Sequence, residues 1–276
     1  MTLVLGIVVL GCQKSTDYGP LPDYTPVIAT YAFSDTTVWR DEFEYTGKPD
    51  PARWGYDIGG SGWGNNELEY YTNSLNNARV EGGKLIIEAR KEPFNNNKYT
   101  SARLVTKKKG DWQYGRVVVR AKLPPGRGTW PAIWMLATNQ SYGTDYWPDN
   151  GEIDIMEHVG YDPNVIHATA HTKAYYFKIN TQKSATTKLP TAFAEFHDYV
   201  LEWTPTQLKM LIDTTPYFVF DNPGDGWQKW PFDKPFHLLL NLAVGGDWGG
   251  QKGIDDSVFP QRMEVEYVRV YGLTKK

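Results

Sequence analysis

Residues 151–158 read Gly-Glu-Ile-Asp-Ile-Met-Glu-His, and this stretch decides how the rest of the chain is interpreted. Side chains two residues apart in a β-strand share one face, so Glu152 and Asp154 point the same way and the isoleucines face a core. Glu157 would fall on the opposite face of a regular strand. One bulged residue, Met156 or a neighbour, would return it to the face of the other acids. The stretch therefore predicts an apolar strand with three carboxyl groups on its open side.

Three acids in one row point to acid/base chemistry. Like charges this close repel one another, so at least one carboxyl group should stay protonated near neutral pH. Hydrolysis of a glycosidic bond uses such a pair, and retaining enzymes need the two carboxyl groups about 5–5.5 Å apart. The ends of the row, about four strand steps apart, lie roughly 13 Å apart at their Cα atoms, so the side chains must lean together from a concave sheet. A calcium site and a solvent-facing acidic strand are the alternatives.

Composition bounds the kinds of function. A chain of 276 residues suits one large all-β domain or two small ones, and either can bury a substantial core. Its formal net charge of −3 gives no indication of nucleic-acid binding, so no nucleic-acid partner is expected. The 11 tryptophans and 18 tyrosines are an unusually large share. Some of these rings should be exposed, because flat aromatic faces bind sugar rings by stacking.

The N-terminal segment has the features of an export signal. Residues 1–12 contain an apolar run that is too short to span a bilayer and is typical of a secretion signal. The run ends in Val-Leu-Gly-Cys, which resembles a bacterial lipobox with Cys12 as the lipidated residue; a plain signal peptide is the alternative. Residues 13–30 are polar and proline-rich, as in a tether. We expect a monomeric bacterial lipoprotein of the cell envelope, periplasmic or at the cell surface, whose only membrane contact is this lipid anchor.

Beyond residue 30 the sequence alternates between short strand-like runs and turns rich in Gly, Pro and Asn, with almost no helical periodicity. The runs are 38–43, 84–90, 113–123, 132–137, 165–172, 196–203, 207–213, 217–220, 236–243 and 263–271. Many short strands with regular turn signals are typical of a β-sandwich or jelly roll. No internal repeat and no interdomain linker is visible. We therefore predict one all-β domain over residues 31–276.

Two glycine-rich loops carry groups suited to sugars. Residues 59–71 mix glycines with amides, acids and aromatic rings, and residues 245–250 place Trp248 among glycines. Amide side chains donate and accept hydrogen bonds at once, which suits sugar hydroxyl groups. Trp130 and Trp134 are an even number of residues apart, so they would share one strand face, either as a sugar platform or as core.

Two histidines, His167 and His171, share one face of the strand after the acids. His171 could hydrogen-bond the carboxyl groups from a neighbouring strand, and a purely structural hydrogen bond is the alternative. The sequence contains no HExxH spacing for zinc and no glycine pattern for a nucleotide or dinucleotide. No catalytic cofactor is therefore expected.

The run Glu152–Glu157, the earlier Trp130–Trp134 (Trp-Pro-Ala-Ile-Trp) and the later His171 resemble glycoside hydrolase family 16. The resemblance extends from about residue 33 to the end, and the two glycine-rich loops resemble its laminarinase and mixed-linkage β-glucanase members. It implies an all-β, concanavalin-like β-jelly roll sandwich with a concave substrate groove, which makes residues 31–276 the catalytic domain. It also implies retaining, endo-acting hydrolysis of β-1,3 or mixed-linkage β-1,3-1,4 glucans, with the polysaccharide as partner.

The resemblance also implies roles for single residues. By motif position Glu152 is the nucleophile, Glu157 the acid/base, and Asp154 the residue that holds and tunes them. Negative charge on Glu152 and Asp154 should raise the pKa of Glu157 in the free enzyme. The residues implied to line the substrate groove are Asn65, Glu67, Arg103, Trp130, Trp134, His171 and Trp248.

Many members of the family carry a structural calcium on the convex side, away from catalysis. The resemblance places backbone ligands at Glu44 and Gly82 and a side-chain ligand at Glu266. The usual side-chain ligand at the last position is an aspartate, and this sequence has the longer glutamate. A structural calcium is therefore an expectation that depends on whether Glu266 can replace that aspartate.

Two other functions stay open at this point. A hydrolase of red-algal galactans, of the agarase kind, would favour basic groove residues for sulfate groups, and none cluster near the acidic run. A non-catalytic glycan-binding surface lipoprotein would use the aromatic loops alone. It would have no reason to keep three acids on one strand.

Overall fold

Two antiparallel sheets of eight strands each dominate residues 31–275, the part of the chain that this computed structural model describes. The predicted signal peptide over 1–12 and tether over 13–30 lie outside the described residues. In chain order the strands are β1 Tyr31–Asp41, β2 Gly55–Tyr56, β3 Glu69–Tyr71, β4 Ala78–Glu81, β5 Lys84–Ala89, β6 Tyr99–Ser101, β7 Arg103–Val105, β8 Asp111–Trp112, β9 Gly115–Lys122, β10 Thr129–Ala137, β11 Glu152–Glu157, β12 Val165–His171, β13 Lys183–Lys188, β14 His197–Trp203, β15 Gln207–Ile212, β16 Thr215–Asp221, β17 Phe236–Val244 and β18 Gln261–Lys275.

The first sheet, called the outer sheet, has the order β16-β15-β14-β9-β18-β5-β4, with β1 paired to β18. The second, called the cleft sheet, has the order β13-β12-β11-β10-β17-β7-β2, with β8 paired to β17. Strands β3 and β6 form a small parallel pair. In the described part of the chain, helix is limited to α1, Gly246–Gly249, and to 3-10 turns at Phe177–Ile179 and Asp256–Val258. Over the described residues, none of the helices is long and apolar enough to cross a membrane. The all-β sandwich predicted from the sequence is confirmed.

The core lies between the two sheets because the strands alternate apolar and polar residues. In β9, Val117, Val119 and Ala121 are buried in the core, whereas Arg116 and Arg120 point away from it. The two arginines pair across the outer sheet with acidic residues of neighbouring strands. This is the half-buried pattern that antiparallel sheets produce.

All ten strand-like runs predicted from the sequence correspond to strands of the two sheets. Seven of the described strands were missed, of which six are only two to four residues long (β2, β3, β4, β6, β7 and β8) and the seventh is β13. Its residues 183–188 read Lys-Ser-Ala-Thr-Thr-Lys, and they pair only with β12 at the edge of the cleft sheet. Neither face of an edge strand this polar has the apolar period that identifies a strand in sequence.

The predicted bulge is present in β11. On the β10 side Ile133 pairs with Met156 and Trp134 pairs with Asp154, which leaves Ile155 as the extra residue. The register with β12 shifts at the same place. Both bulge residues, Ile155 and Met156, are buried in the core although they are consecutive. Glu157 therefore returns to the face of Glu152 and Asp154, and the prediction of a bulge at Met156 or a neighbour is confirmed.

A tyrosine from the outer sheet fixes the bulge. The hydroxyl group of Tyr217, in β16, donates a hydrogen bond to the carbonyl oxygen of Ile155. A bulge interrupts the ladder, and buried backbone oxygens need a partner. Tyr217 thus links the outer sheet to the one position that sets the direction of Glu157.

Substituting Tyr217→Phe should destabilise the protein by about 1 kcal/mol, because it leaves the Ile155 carbonyl buried without this donor. Urea unfolding would measure the change. Tyr199→Phe is the matched control, since the Tyr199 hydroxyl group is also buried but has no hydrogen-bond partner among the described residues. A Tyr217 variant that loses no more stability than the Tyr199 variant would contradict the role assigned to this contact.

Candidate active site

A cleft of about 720 Å³ crosses the face of the cleft sheet that points away from the core. Strands β10, β11, β12 and β17 form its floor, and residues of the connecting loops also line it. Glu152, Asp154 and Glu157 all line this cleft. The isoleucines between them are buried on the other side of the sheet. The three acids therefore share one cleft, as the predicted bulge requires.

Burial is the largest influence on all three carboxyl groups, because it disfavours their charged forms. It raises the pKa of both Glu152 and Glu157 well above the usual value of a glutamate. It also raises the pKa of Asp154 well above its usual value, with repulsion from both glutamates adding to the effect. Asp154 is thus neutral and donates its proton in a hydrogen bond to Glu152, which favours ionised Glu152. The row holds protons at neutral pH, as its crowding predicted.

One part of the electrostatic expectation needs correction. We expected charges on Glu152 and Asp154 to raise the pKa of Glu157. The direction is confirmed, but burial is the largest cause and the charge of Glu67 also acts on Glu157. Repulsion between Glu152 and Glu157 is present, as expected. Asp154 cannot supply the expected charge because it is itself neutral. The sequence could not place Glu67 near Glu157, since the two are 90 residues apart in the chain.

Two side chains favour the charged forms of the glutamates. The indole N–H of Trp130 donates to Oε1 of Glu157 at 3.0 Å and lowers the pKa of that carboxyl group. The guanidinium group of Arg103 acts on Glu152 in the same direction. Arg103 lies 4.7 Å from the ring centroids of both Trp63 and Trp134, so two aromatic faces hold its charge in place.

His171 lies beside the carboxyl row, as expected, but it is not strongly hydrogen-bonded to it. Its Nε2 atom is 3.5 Å from Oδ2 of Asp154 and 3.9 Å from Oε1 of Glu152. Burial lowers the pKa of His171 to about 4, so the ring is neutral in this site. The other predicted histidine, His167, lies opposite Glu157 in β12, and its ring packs edge-on against Trp248 at 4.8 Å. His167 therefore also belongs to the cleft.

Every residue predicted for the groove lines the cleft; these residues are Asn65, Glu67, Arg103, Trp130, Trp134, His171 and Trp248. The open choice for Trp130 and Trp134 is settled by their position, because both rings lie on the cleft side of β10 and are only partly buried. The rings of Trp130 and Trp248 pack edge to face at 5.5 Å. That these residues bind substrate stays a prediction.

Several lining residues were not predicted. Asn241 had a visible signal, because it is the one polar residue in the run from Leu238 to Val244. Others come from long connections without periodicity; they are Trp63, Tyr146, Trp147, Phe177, Lys178, Asn180, Gln182 and Gln251. Their positions depend on tertiary packing, such as the contact of Trp147 with His171 at 6.0 Å between ring centroids.

The residues expected to bind calcium lie apart from the cleft. Glu44 is exposed after β1, and Gly82 occupies the β4–β5 turn with a φ of 60°. The Glu266 carboxylate in β18 accepts a hydrogen bond from Nε of Arg120 at 2.7 Å. A guanidinium group this close occupies the oxygen that a cation would need. As placed here, Glu266 does not fit a calcium ligand.

Within residues 31–275, the acidic and histidine side chains close enough together to share a metal ion are Glu152, Asp154 and His171, whose ligand atoms lie within 4.8 Å of one another. They coincide with the carboxyl row. A cation there would neutralise the charge on which acid/base chemistry depends. We therefore assign the cluster to catalysis and not to a metal.

Paired carboxyl groups with raised pKa values, in an aromatic-lined cleft on a β-sandwich, define a glycoside hydrolase. A family model described as glycosyl hydrolases family 16 matches residues 65–269. The chain belongs to this family, as the acidic run had predicted.

Relatives and solved structures agree with this assignment. The chain is 58% identical over 240 residues to a β-glucanase of Rhodothermus marinus, covering 85% of this chain and 84% of the relative. The X-ray structure of the laminarinase from Rhodothermus marinus superposes with a TM-score of 0.86 at 55% identity, covering 88% of this chain and 99% of the other. A non-specific endo-β-1,3(4)-glucanase of family 16, crystallised with a gluco-oligosaccharide, matches with a TM-score of 0.83 at 47% identity, covering 87% and 96%.

Proposed function

We propose that this protein is a retaining endo-β-glucanase that hydrolyses β-1,3 or mixed-linkage β-1,3-1,4 glucans through a covalent glycosyl-enzyme intermediate. The observation that carries the proposal is the bulge in β11, which places Glu152 and Glu157 in one cleft at the two ends of the carboxyl row. The β-glucanase and laminarinase named among its relatives support this substrate class. No cofactor is needed for this chemistry.

In the first step Glu152 acts as nucleophile and Glu157 as general acid. The Glu152 carboxylate attacks the anomeric carbon while Glu157 gives its proton to the glycosidic oxygen, so the bond to the leaving sugar breaks as the ester forms. Asp154 donates a hydrogen bond to Glu152, and the Arg103 charge favours its ionised form. Both influences lower the pKa of Glu152 and so favour the charged form of the nucleophile.

In the second step Glu157 acts as general base. Water attacks the anomeric carbon, its proton passes to Glu157, and the ester to Glu152 breaks. Charge repulsion between Glu152 and Glu157 is absent once Glu152 is esterified. The Trp130 N–H then favours the carboxylate form of Glu157, which is the form that takes the proton. The same two residues thus exchange protonation states between the steps.

The shape and lining of the cleft support a polysaccharide substrate. Aromatic rings line the cleft beside both ends of the carboxyl row, with Trp130 and Trp248 on the side of Glu157 and Trp147 and Phe177 on the side of Glu152. Stacked rings suit the flat faces of neighbouring glucose units. The carboxyl row lies between these two groups, as an endo-acting enzyme requires.

The two alternatives are less well supported. The cations that line the cleft, among the described residues, are Arg103 and Lys178, and Arg103 is already paired with Asp57 at 3.0 Å. Little positive charge is left for sulfated galactans. A binding protein without catalysis would gain nothing from burying three carboxyl groups at the cost of their repulsion.

Two predictions for parts outside catalysis stay proposals. We propose that Cys12 carries a lipid that anchors the protein to the cell envelope; this residue lies outside the described ones. A structural calcium on the convex side also stays a prediction, and Glu266 would have to leave Arg120 to bind it.

Release of reducing ends from a panel of polysaccharides tests the substrate class. We expect release from barley β-glucan and laminarin and none from agarose, with an early fall in the viscosity of the β-glucan because internal bonds are cleaved. The Glu152→Gln variant serves as the inactive control. Release from agarose alone would support the galactan alternative, and binding without any release would support a non-catalytic role.

Comparison of leaving groups tests the assignment of Glu157. Glu157→Gln should lower kcat/KM on β-glucan by about 10²–10⁴-fold, because the departing sugar then leaves without a proton. On an oligosaccharide with a dinitrophenyl leaving group, which needs no proton, formation of the intermediate should fall far less. Glu152→Gln should lose both reactions. A Glu157→Gln enzyme with full activity on the polysaccharide would remove Glu157 from the role of acid.

A further inference from the structure

Beneath one rim of the cleft lies a pair of carboxyl groups, Glu67 and Glu69, of which the proposed chemistry uses neither. Glu69 is completely buried and Glu67 nearly so. Their segment is fixed to the end of β17: the N–H of Leu68 donates to the carbonyl of Val244 at 3.0 Å, and the N–H of Val244 donates to Oε2 of Glu69 at 2.6 Å. The position of both carboxyl groups is therefore set by the cleft sheet.

A chain of hydrogen bonds with one possible direction leads to Glu67. The indole N–H of Trp134 can only donate, and it donates to Oδ1 of Asn241 at 2.7 Å. Nδ2 of Asn241 is thereby fixed as the donor to the Tyr71 hydroxyl oxygen, at 3.0 Å. The proton of Tyr71 must then point elsewhere, and it is donated to Oε2 of Glu67 at 3.0 Å. Trp134 thus determines that Glu67 receives a hydrogen bond at this oxygen.

The other oxygen of Glu67 also accepts a hydrogen bond. Nδ2 of Asn65 donates to Oε1 of Glu67 at 3.0 Å. A carboxyl group that accepts at both oxygens fits the ionised form, which is acceptor-only. Hydrogen bonds from two donors also stabilise that charge.

Glu69, in contrast to Glu67, fits the protonated form. Its Oε1 atom is buried and receives no hydrogen bond from any described residue, and Glu67 raises the pKa of Glu69 through its charge and a side-chain hydrogen bond. Two buried carboxylates in contact cannot both be charged. A proton on Oε1 turns this atom into a donor to Glu67 and satisfies both groups. Burial and the adjacent Glu67 charge raise the pKa of Glu69 well above its usual value.

Glu67 in turn lies next to the contact that holds Glu157. A Cβ atom at Gly246 would meet the ring of Trp130 at 3.3 Å and Cγ of Glu67 at 3.4 Å, so these two side chains pack on the same glycine. The Trp130 ring donates its N–H to Glu157. The charge of Glu67 raises the pKa of Glu157.

We propose that Glu69 is a neutral acid that donates its proton to Glu67, and that the fixed negative charge of Glu67 keeps Glu157 protonated before the substrate is cleaved. Both are positioning residues, because they act on the reaction through Glu157. The catalytic meaning rests on the proposed function, whereas the protonation states do not.

Other groups also face these carboxyls. Those around Glu157 are Glu152 and Asp154 on its own strand, His167 from β12, Trp130 from β10, Asp247 and Trp248 from α1, and Tyr217 behind the sheet. Those around Glu69 are Glu67, Tyr71 and, in β6, Tyr99, with Arg103 beyond Tyr71. Burial lowers the pKa of His167, so this ring is neutral and does not offset the Glu67 charge. These groups are the same in the variants below, so differences between variants isolate Glu67 and Glu69.

Carboxyl titration by NMR, with glutamate labelled at the side-chain carboxyl carbon, tests the proposal without substrate. In Glu67→Gln the titration midpoint of Glu157 should fall by about half a pH unit or more, because removing a nearby negative charge favours its ionised form. In Glu69→Gln it should not move, because a neutral amide replaces a neutral acid and still donates to Glu67. Glu195→Gln, at an exposed site, is the matched control.

Infrared difference spectra at pH 7 give a second reading of the same proposal. The band of protonated carboxylic acids should lose the component of Glu69 in Glu69→Gln and keep it in Glu67→Gln, whereas the component of protonated Asp154 remains in both variants. Loss of the Glu69 component in Glu67→Gln instead, or a Glu157 midpoint that falls equally in both variants, would overturn the proposal. So would a midpoint that is unchanged in Glu67→Gln. These outcomes do not depend on whether the protein cleaves β-glucan, so a failure here is distinct from a failure of the proposed function.

Discussion

The repulsion among buried carboxyl groups is the constraint on which the rest of the site depends. Glu152, Asp154 and Glu157 face one cleft only because β11 carries an extra residue, and the cleft then denies them the water that would screen their charges. The consequence is a row that keeps protons at neutral pH. Burying three carboxyl groups that repel one another costs free energy, so the strand has no advantage as a scaffold. It has a clear advantage as a source and acceptor of protons.

The surrounding structure decides where those protons lie. Asp154 donates toward Glu152, Trp130 donates toward Glu157, and the Arg103 charge is held between two tryptophans near Glu152. Beneath the rim of the cleft, the chain of hydrogen bonds that starts at Trp134 fixes an ionised carboxylate at Glu67. The tryptophans therefore have two functions in the same cleft, because their faces suit sugars while their N–H groups set the direction of hydrogen bonds.

The strands and the shared face of the three acids could be predicted from the sequence because they follow from local periodicity. The spacing of Glu152, Asp154 and Glu157 required a bulge if all three were to share one face of the strand. Alternating runs such as the one in β9 indicated half-buried strands. Contacts between distant parts of the chain could not be predicted. Asn241 and Tyr71 meet across 170 positions, and the effect of Glu67 on Glu157 depends on that meeting. Asn241, the lone polar residue in the run from Leu238 to Val244, was a visible signal, but its partner was not.

Trapping of the glycosyl-enzyme intermediate tests the central claim most directly. A gluco-oligosaccharide with fluorine at C2 and a good leaving group should react to form the ester and then hydrolyse slowly, because fluorine destabilises the positive charge in both transition states. Peptide mapping by mass spectrometry should locate the sugar on Glu152. A label on Glu157, or a wild-type enzyme that turns over β-glucan but never forms an ester within residues 152–157, would contradict the arrangement of acids described here.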